Sequence, residues 1–306
     1  MKKVLVATEK PFAPAAVSEI KKVVESAGYE LVLLEKYTDP ADLIEAVSDV
    51  DAMIIRSDKV TPEVLEAAKN LKIVVRAGAG YDNIDLVAAS KNGVVAMNTP
   101  GQNSNAVAEL ALGMMVYQAR GMFNGKPGTE LKGKTLGIHA YGHVGRLVAG
   151  IAKGFGMKVL AFDPFIPAEV IQKDEVEAVD SVEELYSSSQ YISLHIPSNE
   201  KTRNSINFDL LKMMPQGATV INTARKEVIN EDSLLKLYSE RPDFVYISDI
   251  APGNAEQIAA EYPDRSFFTP KKMGAQTAEA NINAGIAAAQ QIVNFFEKGD
   301  TSFQVN

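Results

Sequence analysis

The 306 residues carry 31 Lys and Arg against 39 Asp and Glu, a net charge of -8, with 46% hydrophobic residues and no cysteine. That balance excludes a general nucleic-acid or acidic-membrane surface, because a polyanion is repelled by such a field, and an anionic ligand must be held by locally placed Arg and Lys. The missing cysteines exclude disulfides and thiolate metal sites, and the length suggests two domains.

The first apolar run is broken at once by Thr8, Glu9 and Lys10, so it reads as a strand and not as a secretory leader. No stretch approaches the roughly 20 apolar residues of a membrane span, which points to a soluble, cytoplasmic protein with no membrane partner. Five strands are expected in the first hundred residues: KVLVA, ELVLLE, AMIIRS, KIVVRAG and GVVAMNTP. Apolar-periodic helices alternate with them, two announced by Asp39-Pro40 and Thr61-Pro62, where a capping side chain precedes a proline suited to the first turn. An apolar helix follows from about Ala106 to Gln118. A second series then runs through KTLGIHA, KVLAFD, YISLHIP, ATVINTA and FVYISDI, and another long helix from Thr277 to Phe296. Continuous Val/Ile/Leu runs suit parallel strands covered on both faces, so the fold class is α/β with two doubly wound parallel-sheet domains. Ligands of such sheets bind at the carboxyl ends of the strands, and the cleft between two such domains is the expected place for chemistry.

One segment has the layout of a dinucleotide-binding unit: a strand from Lys134 to His139, a turn, a helix from about Val144, and a second strand ending in Asp163. In the turn Ala140-Tyr141-Gly142-His143-Val144-Gly145, Gly142 would let the backbone approach a pyrophosphate. Gly145 would let the helix pack on the strand, and the helix N-terminus would face the phosphates. Ala140 departs from the glycine fingerprint. Asp163 stands where a carboxylate accepts both ribose hydroxyls and repels a 2'-phosphate, which selects NAD.

Further motifs follow in order: IIRSDKVT from Ile54, RAGAGYDNID from Arg76, NTPGQNSNAVAEL from Asn98, LHIPSNEKTRNSIN from Leu194, INTARKEVINEDSLL from Ile221 and TPKKMGAQT from Thr269. With these the sequence resembles the D-2-hydroxyacid dehydrogenase family over essentially its whole length, and most of all the short form of its 3-phosphoglycerate dehydrogenase branch. The resemblance implies a Rossmann cofactor domain, residues 99–276, inserted in a flavodoxin-like substrate domain, residues 1–98 plus 277–306. It also implies a homodimer built through the cofactor domains, a small phosphorylated 2-hydroxy acid as substrate, and no C-terminal regulatory module.

Oxidising a 2-hydroxy acid requires a cation for the carboxylate, a base for the hydroxyl proton and often a carboxylate that orients the base. By resemblance Arg225 is the catalytic arginine. Where the family has His in a Pro-His-Leu-Gly-Ala context this chain reads Pro270-Lys271-Lys272-Met273-Gly274-Ala275; counting from the Met-Gly-Ala side gives Lys272 as acid/base, counting from Pro270 gives Lys271. A free lysine titrates near about 10.4, so it can act as an acid unaided but as a base it needs cationic neighbours such as Arg225 and an oxidised nicotinamide. The family's orienting glutamate is replaced in Ile250 to Asn254, and Glu256 lies off register. Resemblance adds Asp249, His195, Thr223 and Ala224 to the cofactor contacts at Ala140, Gly142, His143, Val144, Gly145 and Asp163. It puts Arg56, Ser57 and Asn103 against the substrate, with an anionic oxygen held by the backbone N-H groups of Ala77 through Gly78, Ala79 and Gly80. His139, His143 and His195 have no metal-ligand spacing, and no metal is expected. Two other readings stay open: a hydroxypyruvate or glyoxylate reductase, and an NAD-sensing binding protein without turnover, to which the missing His and displaced Glu give substance.

Overall fold

The computed structural model describes all 306 residues, which divide into two compact units, Met1–Asn103 with Gln276–Asn306, and Ser104–Ala275. Relative to the boundaries read from the sequence, residues 99–103 and Gln276 fall in the first unit.

The first unit is a parallel sheet of β1 (Lys3–Thr8), β2 (Glu30–Glu35), β3 (Ala52–Ile55), β4 (Ile73–Arg76) and β5 (Val95–Asn98), in the order β2-β1-β3-β4-β5. Its helices are α1 (Pro14–Ser26), α2 (Pro40–Ala46), α3 (Pro62–Ala67), α4 (Leu86–Lys91) and a last helix, Ala278–Lys298. Side chains alternate across β1: Val4 and Val6 meet Ile20, Val24, Ala288 and Ile292 on one face, and Leu5 and Ala7 face Met53, Leu43 and Leu65 on the other. That two-sided burial is why the strands read as unbroken apolar runs. Asp39 caps α2 by accepting from the Ala41 N-H, but Thr61 makes no capping bond to α3; its backbone is extended and Pro62 alone starts the helix. The last helix begins with Thr277 accepting from Ala280 and ends on Gly299 in the left-handed region.

The second unit contains α5 (Ser104–Ala119) and a seven-stranded parallel sheet in the order β12-β11-β10-β9-β6-β7-β8. The strands are β6 (Thr135–His139), β7 (Lys158–Phe162), β8 (Glu177–Ala178), β9 (Tyr191–Leu194), β10 (Thr219–Asn222), β11 (Val245–Ser248) and β12 (Ser266–Phe268). Between them lie α6 (His143–Gly154), α7 (Ala168–Gln172), α8 (Val182–Ser187), α9 (Phe208–Leu211), α10 (Glu231–Glu240) and α11 (Ala255–Glu261); the helix that ends the chain is therefore α12. The order reverses between β6 and β9, the dinucleotide-binding topology, and α6 starts at His143 on Gly142, one residue before the expected start. β8 and β12 were not expected; at two and three residues they carry no readable periodicity. No helix of the chain is long and apolar enough to cross a membrane.

One buried carboxylate organises the carboxyl edge of the first sheet. Asp58, 1% exposed, accepts the Glu9 N-H at 2.7 Å and the Tyr37 hydroxyl at 2.9 Å on Oδ1, and the Arg56 N-H at 3.1 Å on Oδ2. The loops after β1, β2 and β3 are thereby tied to one group. Burial, then the Asp58 charge, pushes the Tyr37 hydroxyl well above its ordinary value, so it stays a donor. Replacing Asp58 by Ala leaves the buried Tyr37 hydroxyl and two partly buried backbone N-H groups without an acceptor, and should cost about 3 kcal/mol in urea unfolding of the whole chain. A loss below about 1 kcal/mol would show that water takes over the carboxylate's place.

Candidate active site

The cofactor turn leaves the end of β6 with Ala140 at φ 80, a left-handed backbone that glycine adopts freely and alanine does not. A Cβ on Gly142 would meet nothing within 4 Å, which leaves the open backbone a pyrophosphate needs. A Cβ on Gly145 would overlap the Ala140 carbonyl oxygen, so this glycine sets the approach of α6 to β6. Asp163 follows β7 directly. Its Oδ2 accepts the Tyr141 N-H and its Oδ1 the Phe165 N-H, both at 2.8 Å, which fixes the carboxylate while each oxygen keeps a lone pair for a ribose hydroxyl. At the end of β10 the buried Thr223 hydroxyl has no partner in the protein. These residues fit a dinucleotide.

Two histidines lie beside the turn. His139 is buried at the end of β6 with Nδ1 3.2 Å from the Tyr186 hydroxyl, and burial pushes its pKa down to about 4 against the opposing field of Asp163. The His195 N-H donates to the His139 carbonyl, its Nε2 lies 2.9 Å from Ser193 Oγ, and burial followed by the neighbouring His139 pushes it down to about 3. His195 keeps part of its surface exposed, so solvent discounts its contribution to stability.

Arg225 is half-buried in the turn after β10, with Nη1 donating to the Ala224 carbonyl at 2.9 Å. Asp249, 1% exposed and one residue past β11, is taken up by the loop after β12. Its Oδ1 accepts the Met273 N-H at 2.9 Å and lies 2.9 Å from the Thr269 hydroxyl, and its Oδ2 accepts the Gly274 N-H at 2.8 Å. This loop carries Lys271 and Lys272, both exposed. Since β10, β11 and β12 are successive neighbours, Arg225, Asp249 and the lysine loop leave one edge of one sheet. Asp249 thus has three internal donors, a role its reading as a nicotinamide contact did not include. Glu256 is exposed on the first turn of α11, away from these bonds.

The first unit departs from expectation at two places. The Arg56 guanidinium donates to the Lys10 and Pro11 carbonyls through Nη1 and to Asn281 Oδ1 through Nη2, and lies over the Phe12 ring, so three of its five donors are taken up within the unit. In the glycine-rich turn the Ala77 and Gly78 N-H groups donate to the Ile55 and Arg76 carbonyls, which leaves Ala79 and Gly80 as the candidate anion donors. Gly78 has φ 153 and a Cβ there would overlap the Arg76 guanidinium. Ser57 is exposed, and Asn103 is half-buried just before α5. Asn222 and Thr269, which carry much of the second unit's geometry, were not singled out from the sequence, although Asn222 stands inside the INTARKE motif.

Known proteins give these features a setting. Residues 105–263, all within the second unit, match the D-isomer specific 2-hydroxyacid dehydrogenase NAD binding domain. A D-3-phosphoglycerate dehydrogenase of Methanocaldococcus jannaschii is 37% identical over 269 residues, covering 82% of this chain and 51% of that protein, so the chain spans about half its length. A hydroxypyruvate reductase of Thermotoga maritima is 36% identical over 283 residues, covering 86% of this chain and 90% of that protein. The NAD+-bound crystal structure of 3-phosphoglycerate dehydrogenase from Entamoeba histolytica is 48% identical with a TM-score of 0.87, covering 100% of this chain and 98% of that one.

Two outcomes test the turn. Ala140→Gly relieves a strained alanine at the cost of a freer unfolded chain, and should be neutral to about 1 kcal/mol stabilising. Gly145→Ala should cost about 2 kcal/mol or more, together with NAD affinity, read by thermal unfolding and cofactor titration. Equal effects would refute this assignment of the two positions. The histidines set an acid limb. Unfolded, His139 takes a proton near about 6.5, and folded only near about 4, so the folded state binds fewer protons between them and stability falls as pH drops through that window. The loss attributable to His139 is on the order of 3 kcal/mol. Urea midpoints from pH 7 to 4 should show it, and His139→Gln should flatten the slope; an unchanged slope would remove His139 from the account.

Proposed function

The chain belongs to the D-isomer specific 2-hydroxyacid dehydrogenase family and carries its NAD binding domain, and on that premise we propose that it oxidises D-3-phosphoglycerate to 3-phosphohydroxypyruvate. The observation that carries the choice of substrate is the 48% identity, over the whole chain, to the 3-phosphoglycerate dehydrogenase of Entamoeba histolytica. When bound, NAD supplies the acceptor for the C2 hydrogen and its electron pair. The planar, permanently charged fork of Arg225 binds the substrate carboxylate and the adjacent oxygen. Lys272 takes the C2 hydroxyl proton on Nζ during oxidation and returns it during reduction. Gly142, His143, Val144 and Gly145 hold the pyrophosphate at the start of α6, Asp163 holds the adenosine ribose, and Ala140, His195, Thr223, Ala224 and Asp249 line the rest of the cofactor's path. In the first unit, Ser57, Asn103 and the Ala79 and Gly80 N-H groups are the proposed substrate donors, with the remaining hydrogens of Arg56. A cytoplasmic homodimer built through the second unit completes the reading.

Reduction of hydroxypyruvate is the second reading, favoured by the 36% identity to a hydroxypyruvate reductase of which this chain covers 90%. The two share every step above and differ in whether the far end of the substrate carries a phosphate, so kcat/KM for 3-phosphohydroxypyruvate against hydroxypyruvate separates them.

NADH consumption with 3-phosphohydroxypyruvate should be robust, and Lys272→Ala should lower kcat by about 100-fold or more while Lys271→Ala leaves it within about 3-fold. Because the base form of a lysine has lost its proton, oxidation should rise toward alkaline pH while reduction runs well at neutrality. A reversed pair of lysine effects would transfer the role to Lys271, and an oxidation optimum below neutrality would exclude a lysine base.

A further inference from the structure

Asn222 is the last residue of β10, has no exposed surface, and uses both ends of its amide. Oδ1 accepts the Ala224 N-H at 2.9 Å, and Nδ2 donates to the Arg225 carbonyl at 2.9 Å and to the Tyr246 hydroxyl at 3.1 Å. The orientation of the amide is set by its partners, because a backbone N-H can only donate and a carbonyl can only accept. The Asn222 carbonyl in turn accepts the Asp249 N-H at 3.0 Å and lies 3.0 Å from the Ser248 hydroxyl, whose single hydrogen also has the Ile250 carbonyl at 2.7 Å. The turn that presents Arg225 is therefore closed on one side chain, anchored on the next strand through Tyr246, and joined by one backbone bond to Asp249, whose carboxylate holds the lysine loop.

Resting on the reading of Arg225 as the carboxylate-binding residue, we propose that Asn222 is a positioning residue that fixes the Arg225 backbone and thereby the direction of its guanidinium. No other side chain of this length supplies both a donor pair and an acceptor: an aspartate lacks the donors, and a serine can reach the Ala224 N-H but not the Arg225 carbonyl. A guanidinium that must meet a carboxylate in a bidentate geometry loses rate steeply when its base shifts by an ångström.

The test is reduction of 3-phosphohydroxypyruvate by NADH in the unsubstituted chain, Asn222→Ser, Arg225→Lys, the double variant and Tyr246→Phe. The expected result is a loss of about 100-fold in kcat/KM for the oxo acid in Asn222→Ser, with the NADH dissociation constant within about 2-fold. In the Arg225→Lys background the same substitution should cost less than about 3-fold, because the geometry it protects is already gone. Tyr246→Phe, which keeps the ring, should show a smaller loss, about 5-fold, confined to the oxo acid. An equal cost of Asn222→Ser in both backgrounds, or a parallel loss of NADH binding, would overturn the proposal and leave Asn222 a folding residue. If Asn222→Ser does not fold, Tyr246→Phe, alone and in the Arg225→Lys background, decides by the same criteria. No turnover by the unsubstituted chain with 3-phosphohydroxypyruvate or hydroxypyruvate would overturn the hydroxy-acid reading, and this proposal with it.

Discussion

The hydrogen bond from the Asp249 N-H to the Asn222 carbonyl is where the chemistry of the second unit is joined to its fold. β10 and β11 run in parallel with Asn222 opposite Ser248, and this bond carries the ladder one residue past the end of the sheet. Beyond it the two chains turn away into loops, and each loop is closed by the side chain that stands at the exit. A buried amide and a buried carboxylate are costly to leave unsatisfied, so the loops fold onto them. The same economy shapes the first unit, where Asp58 gathers the loops after three strands. In both sheets the carboxyl edge is held by buried polar groups whose partners are mostly backbone atoms, each with one side-chain hydroxyl beside them.

Strands were legible wherever a run of Val, Ile and Leu is long enough to exceed noise: KVLVA, which is buried on both faces, and also ELVLLE, an edge strand only partly buried whose observed bounds coincide with the expected run. β8 and β12 were not, since neither is long enough to show a period. The strand, turn and helix that carry Gly142, Gly145 and Asp163 were legible because each residue type answers a local steric or hydrogen-bonding requirement. What the sequence could not show is which polar side chains are used up. Arg56 sits in a motif that suggests a ligand contact, yet one of its partners, Asn281, lies 225 residues away. Asp249 likewise satisfies donors 20 to 25 residues further on. Thr61 carries the right residue type for a cap and makes no such bond, because capping depends on a rotamer and not on composition alone.

Charge in the cofactor turn follows from burial more than from residue count. His139 lies in the field of Asp163 with His195 beside it, and were His139 charged it would compete with the ribose diol that Asp163 is proposed to hold. Burial keeps both neutral down to strongly acid pH. Asp163 itself is held by two backbone N-H groups that fix its position. The cost appears as the acid sensitivity of the fold, so a feature that suits cofactor binding at neutral pH is coupled to stability below it.

A lysine as the proposed acid/base, in place of the histidine that the resemblance leads one to expect, changes what the surrounding fold must do. An imidazole acting as acid and base needs one tautomer, and a carboxylate on its far nitrogen supplies that. An ammonium group has three equivalent donors and no tautomer to choose, so a carboxylate beside it brings no such benefit, and Glu256 stands exposed on α11 without that task. A lysine on a four-carbon stem does, however, need a fixed starting point, since its rotamers multiply any looseness of the backbone. The carboxylate of Asp249 answers that need. It holds the Met273 and Gly274 N-H groups, immediately after Lys272, and so fixes the backbone from which the lysine extends.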